Sequence, residues 1–151
     1  MSDRRLVERC VLPAVLRVVA TGLHKAMEQT DADLTPVLDL LDKAIGEPLI
    51  DSPVTRRVKL ARRARRLTQT ATGPLVDQPL VVQYLAAARW IQGLTERGAI
   101  EVGGASPFAE AWDQLAEMMG LIEDKLDEVE ADAAALAGRI EAAVRAEGYF
   151  A

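Results

Sequence analysis

The sequence has very few of the side chains from which most active sites are built. Its 151 residues include one cysteine, one histidine and no asparagine. Cys10 alone can form neither an intramolecular disulfide nor a cysteine-based metal cluster. His24 lies fourteen residues further on, and on one helix that separation is about 21 Å, too far for it to act as the base for a thiol nucleophile. We therefore expect no catalytic residues, no cofactor and no metal.

The sequence also lacks the common ligand-binding motifs. It contains no glycine-rich phosphate loop and no Glu-x-x-His pair of the kind that di-iron bundles require. The segment from Asp31 to Asp33 begins like a calcium loop, but Pro36 occupies the position where that loop needs glycine. The sequence therefore predicts that the chain is not an enzyme.

Long apolar runs are missing as well. The stretch 11–23 contains Pro13 and Arg17 and is shorter than the ~20 residues that a membrane span requires. No small-residue cleavage pattern of a secretory signal follows it, and a single cysteine suits a reducing compartment. These features favour a cytoplasmic protein that does not associate with membranes. The abundance of Arg over Lys and the lack of Asn are typical of a GC-rich bacterial or phage genome.

What the sequence does contain favours helices. Half of the residues are hydrophobic, yet only two Trp, two Tyr and two Phe occur, so a core must be built from Leu, Val, Ile and Ala. Ala is the best helix former and a poor strand former. The sequence therefore predicts an all-α fold, a helical bundle of about five helices.

Prolines mark where four of these helices begin, since a helix tolerates proline at its first position. Pro36, Pro53 and Pro107 each follow a Thr or Ser cap, and Pro79 follows Gln78. The predicted helices cover residues 3–27, 36–45, 53–71, 79–97 and 107–147. We expect residues 1–104 to form a helical core of four helices, and residues 105–151 to form a long C-terminal helix that packs on this core.

The C-terminal segment shows the strongest pattern, because apolar residues recur at alternating steps of four and three from Phe108 to Ala143. A continuous helix over 107–147 would be about 60 Å long, although Gly120 and Gly138 would each weaken it. We expect its far end to extend beyond the core as a coiled-coil-like seam. That seam would pair with a second copy in a homodimer or with another helical protein through Leu126, Val129, Ala133, Leu136 and Ile140.

Charge is distributed unevenly, although the net charge is only −5. Seven of the 18 cations lie between residues 56 and 66. At about 100° per residue, five of them fall within one arc of the predicted third helix. Residues 110–132 contain nine carboxylates and one lysine. The predicted interaction residues of the basic helix are Arg56, Lys59, Arg62, Arg63 and Arg66.

Three interpretations of these charged faces remain open. Both faces can be merely solvated, since exposed ion pairs contribute little. They can pair with each other, within a chain or between protomers. The basic helix, residues 53–71, can also contact nucleic acid phosphates.

From these features we expect a non-enzymatic interaction protein, such as an adaptor, assembly factor or inhibitor, that acts through its basic and acidic helices. The first alternative is a nucleic-acid-associated protein that uses the basic helix. The second is a small-ligand binder or enzyme with a pocket between helices, lined by Trp90 or Trp112.

Overall fold

A computed structural model describes residues 3–26, 36, 37, 39, 40, 54–101, 107–119 and 127–150. These residues form an all-α helical bundle, which confirms the predicted fold class, and no strand occurs among them. Residues 36, 37, 39 and 40 are helical. The principal helices are α1 (Asp3–Leu6), α2 (Leu12–Ala26), α3 (Val54–Thr72), α4 (Leu80–Glu96), α5 (Pro107–Met119) and α6 (Glu130–Ala146).

A π-helical turn, Val7–Val11, joins α1 to α2. The N–H of Leu12 donates to the carbonyl of Val7, five residues back. In a regular α-helix the ring of Pro13 would collide with the carbonyl four residues before it, and a π turn is one of the devices by which a helix accommodates such a disruption. The chain therefore stays helical through Pro13.

The boundaries of α4 follow the proline and glycine signals closely. Pro79 is the N-cap, with φ −57° and ψ 147°, so the helix begins one residue later than predicted. Gly98 has φ +71°, and the N–H of Ala99 donates to the carbonyl of Leu94 at 2.9 Å. This is the Schellman arrangement, in which a glycine in the left-handed region ends a helix.

The core is one cluster to which α1 to α6 all contribute. Helix α2 contributes a row of side chains at steps of three and four, since Leu12, Leu16, Val19 and Leu23 are all buried. Branched aliphatic side chains fill the centre of the bundle, as the scarcity of aromatic residues predicts. The largest fully buried side chains are Leu6, Leu12, Leu16, Leu67, Leu75, Leu94, Ile100, Leu115 and Ile140.

The C-terminal region is not one unbroken α-helix over the predicted range. A 3-10 turn, Asp127–Val129, precedes α6, and Val129 has φ −108° and ψ 7°, outside the α-helical region. The helix then runs without interruption through Gly138. Gly120 and Leu126 lie outside the described residues.

The apolar seam of α6 faces the chain's own core. Ala133, Leu136 and Ile140 are each at most 3% exposed, and α6 packs mainly on α4 and also on α3. In this packing these three side chains are covered by the chain's own helices, and the pairing of the seam with a second copy stays a prediction. Val129 is half-buried.

Burial along α6 also departs from a strict heptad. The seven-residue repeat predicts that Ala143 follows Ile140, but Val144 is fully buried and Ala143 is only half-buried. A straight α-helix drifts by about 20° per heptad relative to a coiled coil. The burial pattern is therefore that of a bundle helix.

Candidate functional site

The orientation of α3 is set by its buried residues Ala64, Leu67 and Ala71. The opposite side of the helix faces solvent and includes Val58, whose side chain is 46% exposed. At about 100° per residue, Val58 falls just outside the predicted arc of five cations, on the apolar side of the helix. The observed solvent-facing arc is therefore rotated relative to the predicted one.

The outer face of α3, as we define it, is a strip of exposed residues. Val58, Arg62, Arg65 and Gln69 recur at steps of four, three and four, so they lie in one row about 16 Å long. Arg65 was missed by the sequence analysis because Val58 was assigned to the core. The side chain of Arg56 lies outside the described residues. The outer face consists of Val58, Lys59, Arg62, Arg65, Arg66 and Gln69, all of them exposed.

The C-terminal residues hold one edge of this face. Nε of Arg63 donates to the hydroxyl of Tyr149 at 2.6 Å, and the guanidinium lies 4.8 Å from the centre of the same ring. Nε of Arg66 lies 2.9 Å from a carboxylate oxygen of Glu147. Arg63 is therefore a structural contact to the chain's own C-terminal segment, not part of the outer face.

Tyr149 reaches this position because α6 ends just before it. Gly148 has φ +92°, and its N–H donates to the carbonyl of Arg145 at 2.9 Å. The left-handed glycine turns the chain back over the bundle, where Tyr149 is 6% exposed. Gly148 is the sequence feature that could have predicted this turn, because glycine is enriched directly after the ends of helices.

Among the described residues, no carboxylate of the acidic stretch 110–132 forms an ion pair with a cation of the outer face. Within the described ranges, no ion pair involves Lys59, Arg62 or Arg65. The acid that contacts Arg66 is Glu147, outside the acidic stretch. The predicted pairing of the two charged faces within one chain is therefore not found among these side chains.

The acidic stretch makes few contacts of its own in the part of the chain that the structure describes. Glu130 pairs with Arg89 of α4 at 2.6 Å, with both side chains more than 40% exposed. Glu110, Asp113 and Glu117 are exposed along α5. The bundle therefore presents a basic helix at α3 and an acidic one at α5.

The tryptophans occupy different environments. Trp90 is buried, whereas Trp112 is half-buried and stacks on Tyr84, with ring centres 6.1 Å apart. Burial raises the pKa of the Tyr84 hydroxyl. A cleft of about 350 Å³ lies beside Trp112, between α4 and α5.

The polar side chains that line this cleft already form hydrogen bonds with other groups of α4. The hydroxyl of Thr95 donates to the carbonyl of Ile91 at 2.8 Å. The amide of Gln92 accepts from Arg89 and donates to Glu96. Because no polar atoms of the described residues converge on the cleft, it gives little support to a ligand site of the kind predicted at Trp112.

The two residues closest to conventional active-site chemistry are not poised for it. Cys10 is 2% exposed, and burial raises the pKa of its thiol to about 11, which keeps it protonated and unreactive at neutral pH. His24 is half-buried, and no described residue forms a hydrogen bond with its Nδ1.

In the ranges that the structure describes, no three His, Cys, Asp or Glu side chains are grouped so that they could hold a metal ion. None of the helices there is both long enough and apolar enough to cross a membrane. Comparison with protein-family models, curated proteins and solved structures found no match.

Proposed function

We propose that this chain is a non-enzymatic interaction protein whose outer face of α3 docks on an acidic surface of a protein partner. The observation that carries the proposal is the row of exposed cations on α3, which the described carboxylates leave unpaired at Lys59, Arg62 and Arg65. No acidic residue occurs within α3. Like charges at three- and four-residue spacing repel one another, and an acidic partner would remove that repulsion.

Val58 favours protein over nucleic acid as the partner. It lies in the same row as Arg62 and Arg65 and is 46% exposed, so a partner covers an apolar side chain together with the cations. An apolar contact adds affinity when the partner offers an apolar surface. The phosphate backbone of a nucleic acid offers no such surface. In this role electrostatics would set the encounter rate and specificity, and Val58 would add affinity.

The seam of α6 does not enter this proposal, because Ala133, Leu136 and Ile140 are covered by the chain's own helices. The exposed carboxylates of α5 are a second surface of opposite charge. Adaptor, assembly factor and inhibitor all remain compatible with one basic and one acidic surface.

A binding titration tests the proposal and its nucleic-acid alternative together. The probes are a labelled synthetic peptide with the sequence of residues 107–132, which carries nine carboxylates, and a labelled short DNA duplex, each titrated at matched salt. We expect the protein to bind the peptide more tightly than the duplex. We also expect Val58→Ser to weaken peptide binding about fivefold, as the loss of about 1 kcal/mol of apolar burial implies.

Val76→Ser is the matched control, because Val76 is 61% exposed and lies outside α3. It should leave peptide binding unchanged. Tighter binding of the duplex, with no effect of Val58→Ser, would favour the nucleic-acid alternative and contradict the proposal.

A further inference from the structure

A groove of about 500 Å³ lies between α2 and the segment that leads into α4. Its volume falls within the range of small-molecule sites. The groove is on a different part of the bundle from the outer face of α3, and none of its residues belongs to that face. The described residues that line it are Ala14, Arg17, Val18, Thr21, Gly22, Lys25, Val76 and Gln83.

Gln83 is the one buried polar side chain of the described core, with 7% of its surface exposed. Its Nε2 donates to the carbonyl of Leu75 at 2.7 Å, and this bond fixes which way the amide points. No donor from the described residues reaches its Oε1. This oxygen is reached from the groove, so a ligand N–H that donates to it would replace a solvent contact with a direct hydrogen bond.

Gly22 leaves the approach to this oxygen open. A Cβ at Gly22 would lie 3.4 Å from Oε1 of Gln83 and 3.3 Å from Cδ1 of Leu80. A side chain as small as alanine would therefore fill the space directly in front of Oε1. Glycine in a helix interior is less stable than alanine, and the open space beside Oε1 gives this glycine a use.

The residues along α2 limit the kind of ligand that the groove can take. Ala14 and Val18 are apolar, Gly22 with the Oε1 of Gln83 follows one turn later, and Lys25 comes three residues further on. Arg17 also lines the groove beside Val18 but already has an interaction of its own, so we assign the cationic contact to Lys25. Val76, an exposed apolar side chain, borders the groove. A ligand that lies along α2, whose residues rise by about 1.5 Å each, would therefore meet apolar side chains, then a hydrogen-bond acceptor, then a cation.

We propose that this groove binds a small N-acyl amino acid. The acyl chain would lie against Val18 and Val76, the amide N–H would donate to Oε1 of Gln83, and the carboxylate would face the ammonium group of Lys25. In such a molecule one carbon separates the amide nitrogen from the carboxylate, and the flexible four-carbon stem of Lys25 lets its ammonium group follow the carboxylate. The C-terminus of a peptide has the same amide and carboxylate, and the test below separates the two sources.

The experiment is an NMR titration of the full chain with N-hexanoylglycine and two matched probes. The first, its methyl ester, lacks the carboxylate, and the second, O-hexanoylglycolate, has an ester oxygen in place of the N–H. We expect saturable shifts of the Gly22 backbone amide and the Gln83 side-chain amide with N-hexanoylglycine. Each matched probe should bind about tenfold more weakly, because each loses one polar interaction.

Gly22→Ala and Gly93→Ala form a matched pair of variants. Both glycines lie inside helices, but a Cβ at Gly93 meets nothing within 4 Å. We expect Gly22→Ala to weaken N-hexanoylglycine at least about tenfold and Gly93→Ala to leave it unchanged, with both variants folded as judged by circular dichroism. Lys25→Gln should weaken N-hexanoylglycine but not its methyl ester.

Three results would overturn the proposal. The first is the absence of saturable shifts with N-hexanoylglycine. The second is equal binding of N-hexanoylglycine and O-hexanoylglycolate, or equal binding by Gly22→Ala and Gly93→Ala. The third is tighter binding of a short glycine-ending peptide than of N-hexanoylglycine, which would assign the groove to a protein C-terminus. None of these outcomes depends on α3, so the groove and the proposed function can fail independently.

Discussion

The indole Nε1 of Trp90 donates to a carboxylate oxygen of Glu141 at 2.8 Å, which joins α4 to α6 across the core. The other oxygen of Glu141 accepts from Arg97 at 2.6 Å and from Arg145 at 2.8 Å. One carboxylate thus receives three donors at the contact between the two helices that pack most extensively on each other. This contact holds α6 on the bundle. Glu147 and Tyr149, which follow directly after α6, contact Arg66 and Arg63 at the edge of α3.

Glu141→Gln should destabilise the protein by about 1–3 kcal/mol, because hydrogen bonds to a charged acceptor are lost and the new amide cannot accept at both positions. The control is Glu130→Gln, on the same helix, which removes an exposed pair with Arg89 and should cost less than about 1 kcal/mol. Urea denaturation of both variants at neutral pH measures the difference. Equal losses would show that the Trp90–Glu141 contact contributes no more than a surface pair.

The same carboxylate makes stability depend on pH. Burial alone would raise its pKa, but the hydrogen bonds from Arg145, Arg97 and Trp90 outweigh burial and lower the pKa of Glu141 below its ordinary value of 4.5. Between the folded and unfolded pKa values the unfolded chain binds more protons at this site, so stability rises with pH in that interval.

The stability difference between wild type and Glu141→Gln should therefore be constant well above pH 4.5, the ordinary pKa, and should shrink as the pH falls from there through the lowered pKa. Urea titrations over a series of pH values measure this difference. A difference that stays the same throughout the acid range would contradict the assigned role of the Glu141 carboxylate.

Glycine substitutions test the helix geometry. A Cβ at Gly93 or Gly138 meets nothing within 4 Å, and both residues are exposed inside helices. Gly93→Ala and Gly138→Ala should each stabilise the fold by about 0.5–1 kcal/mol. Gly98→Ala should destabilise it by about 1 kcal/mol or more, because Gly98 has φ +71°. A stabilising Gly98→Ala, measured by the same denaturation, would contradict the helix end assigned there.

The sequence predicted α3 and α4 to within about one residue at each end, because proline and glycine act through local backbone geometry. It could not predict the direction in which each helix faces. Val58 has the hydrophobicity of a core residue, and only the positions of the neighbouring helices decide that it is exposed. Arg65 therefore entered the candidate surface only once the packing of Leu67 and Ala71 was known.

The sequence also could not predict which surface covers the apolar seam of α6. A repeat of apolar residues specifies that a helix is covered on one side, but not whether the cover comes from the same molecule. The same limit applies to two polar side chains. Gln83 donates to the carbonyl of Leu75, and Glu141 accepts from Trp90 on another helix. Periodicity does not encode these contacts.

The intramolecular cover of α6 makes a prediction about concentration. Leu136 is 3% exposed, and Leu136→Ala should cost about 2–5 kcal/mol. Because the contacts are within one chain, the unfolding midpoint of the wild type should not change with protein concentration. A midpoint that rises as the protein is concentrated would show that the seam is completed by a second copy.

The most direct test of the central claim is a fluorescence-anisotropy titration of the acidic peptide, residues 107–132, against a charge reversal on the outer face of α3. The double variant Arg62→Glu/Arg65→Glu removes two cations that have no ion pair among the described residues. Arg9→Glu/Arg139→Glu makes the same change in net charge at exposed positions elsewhere. We predict that the first variant weakens peptide binding about tenfold or more at low salt and that the second changes it much less. Equal binding by the two variants would contradict the account.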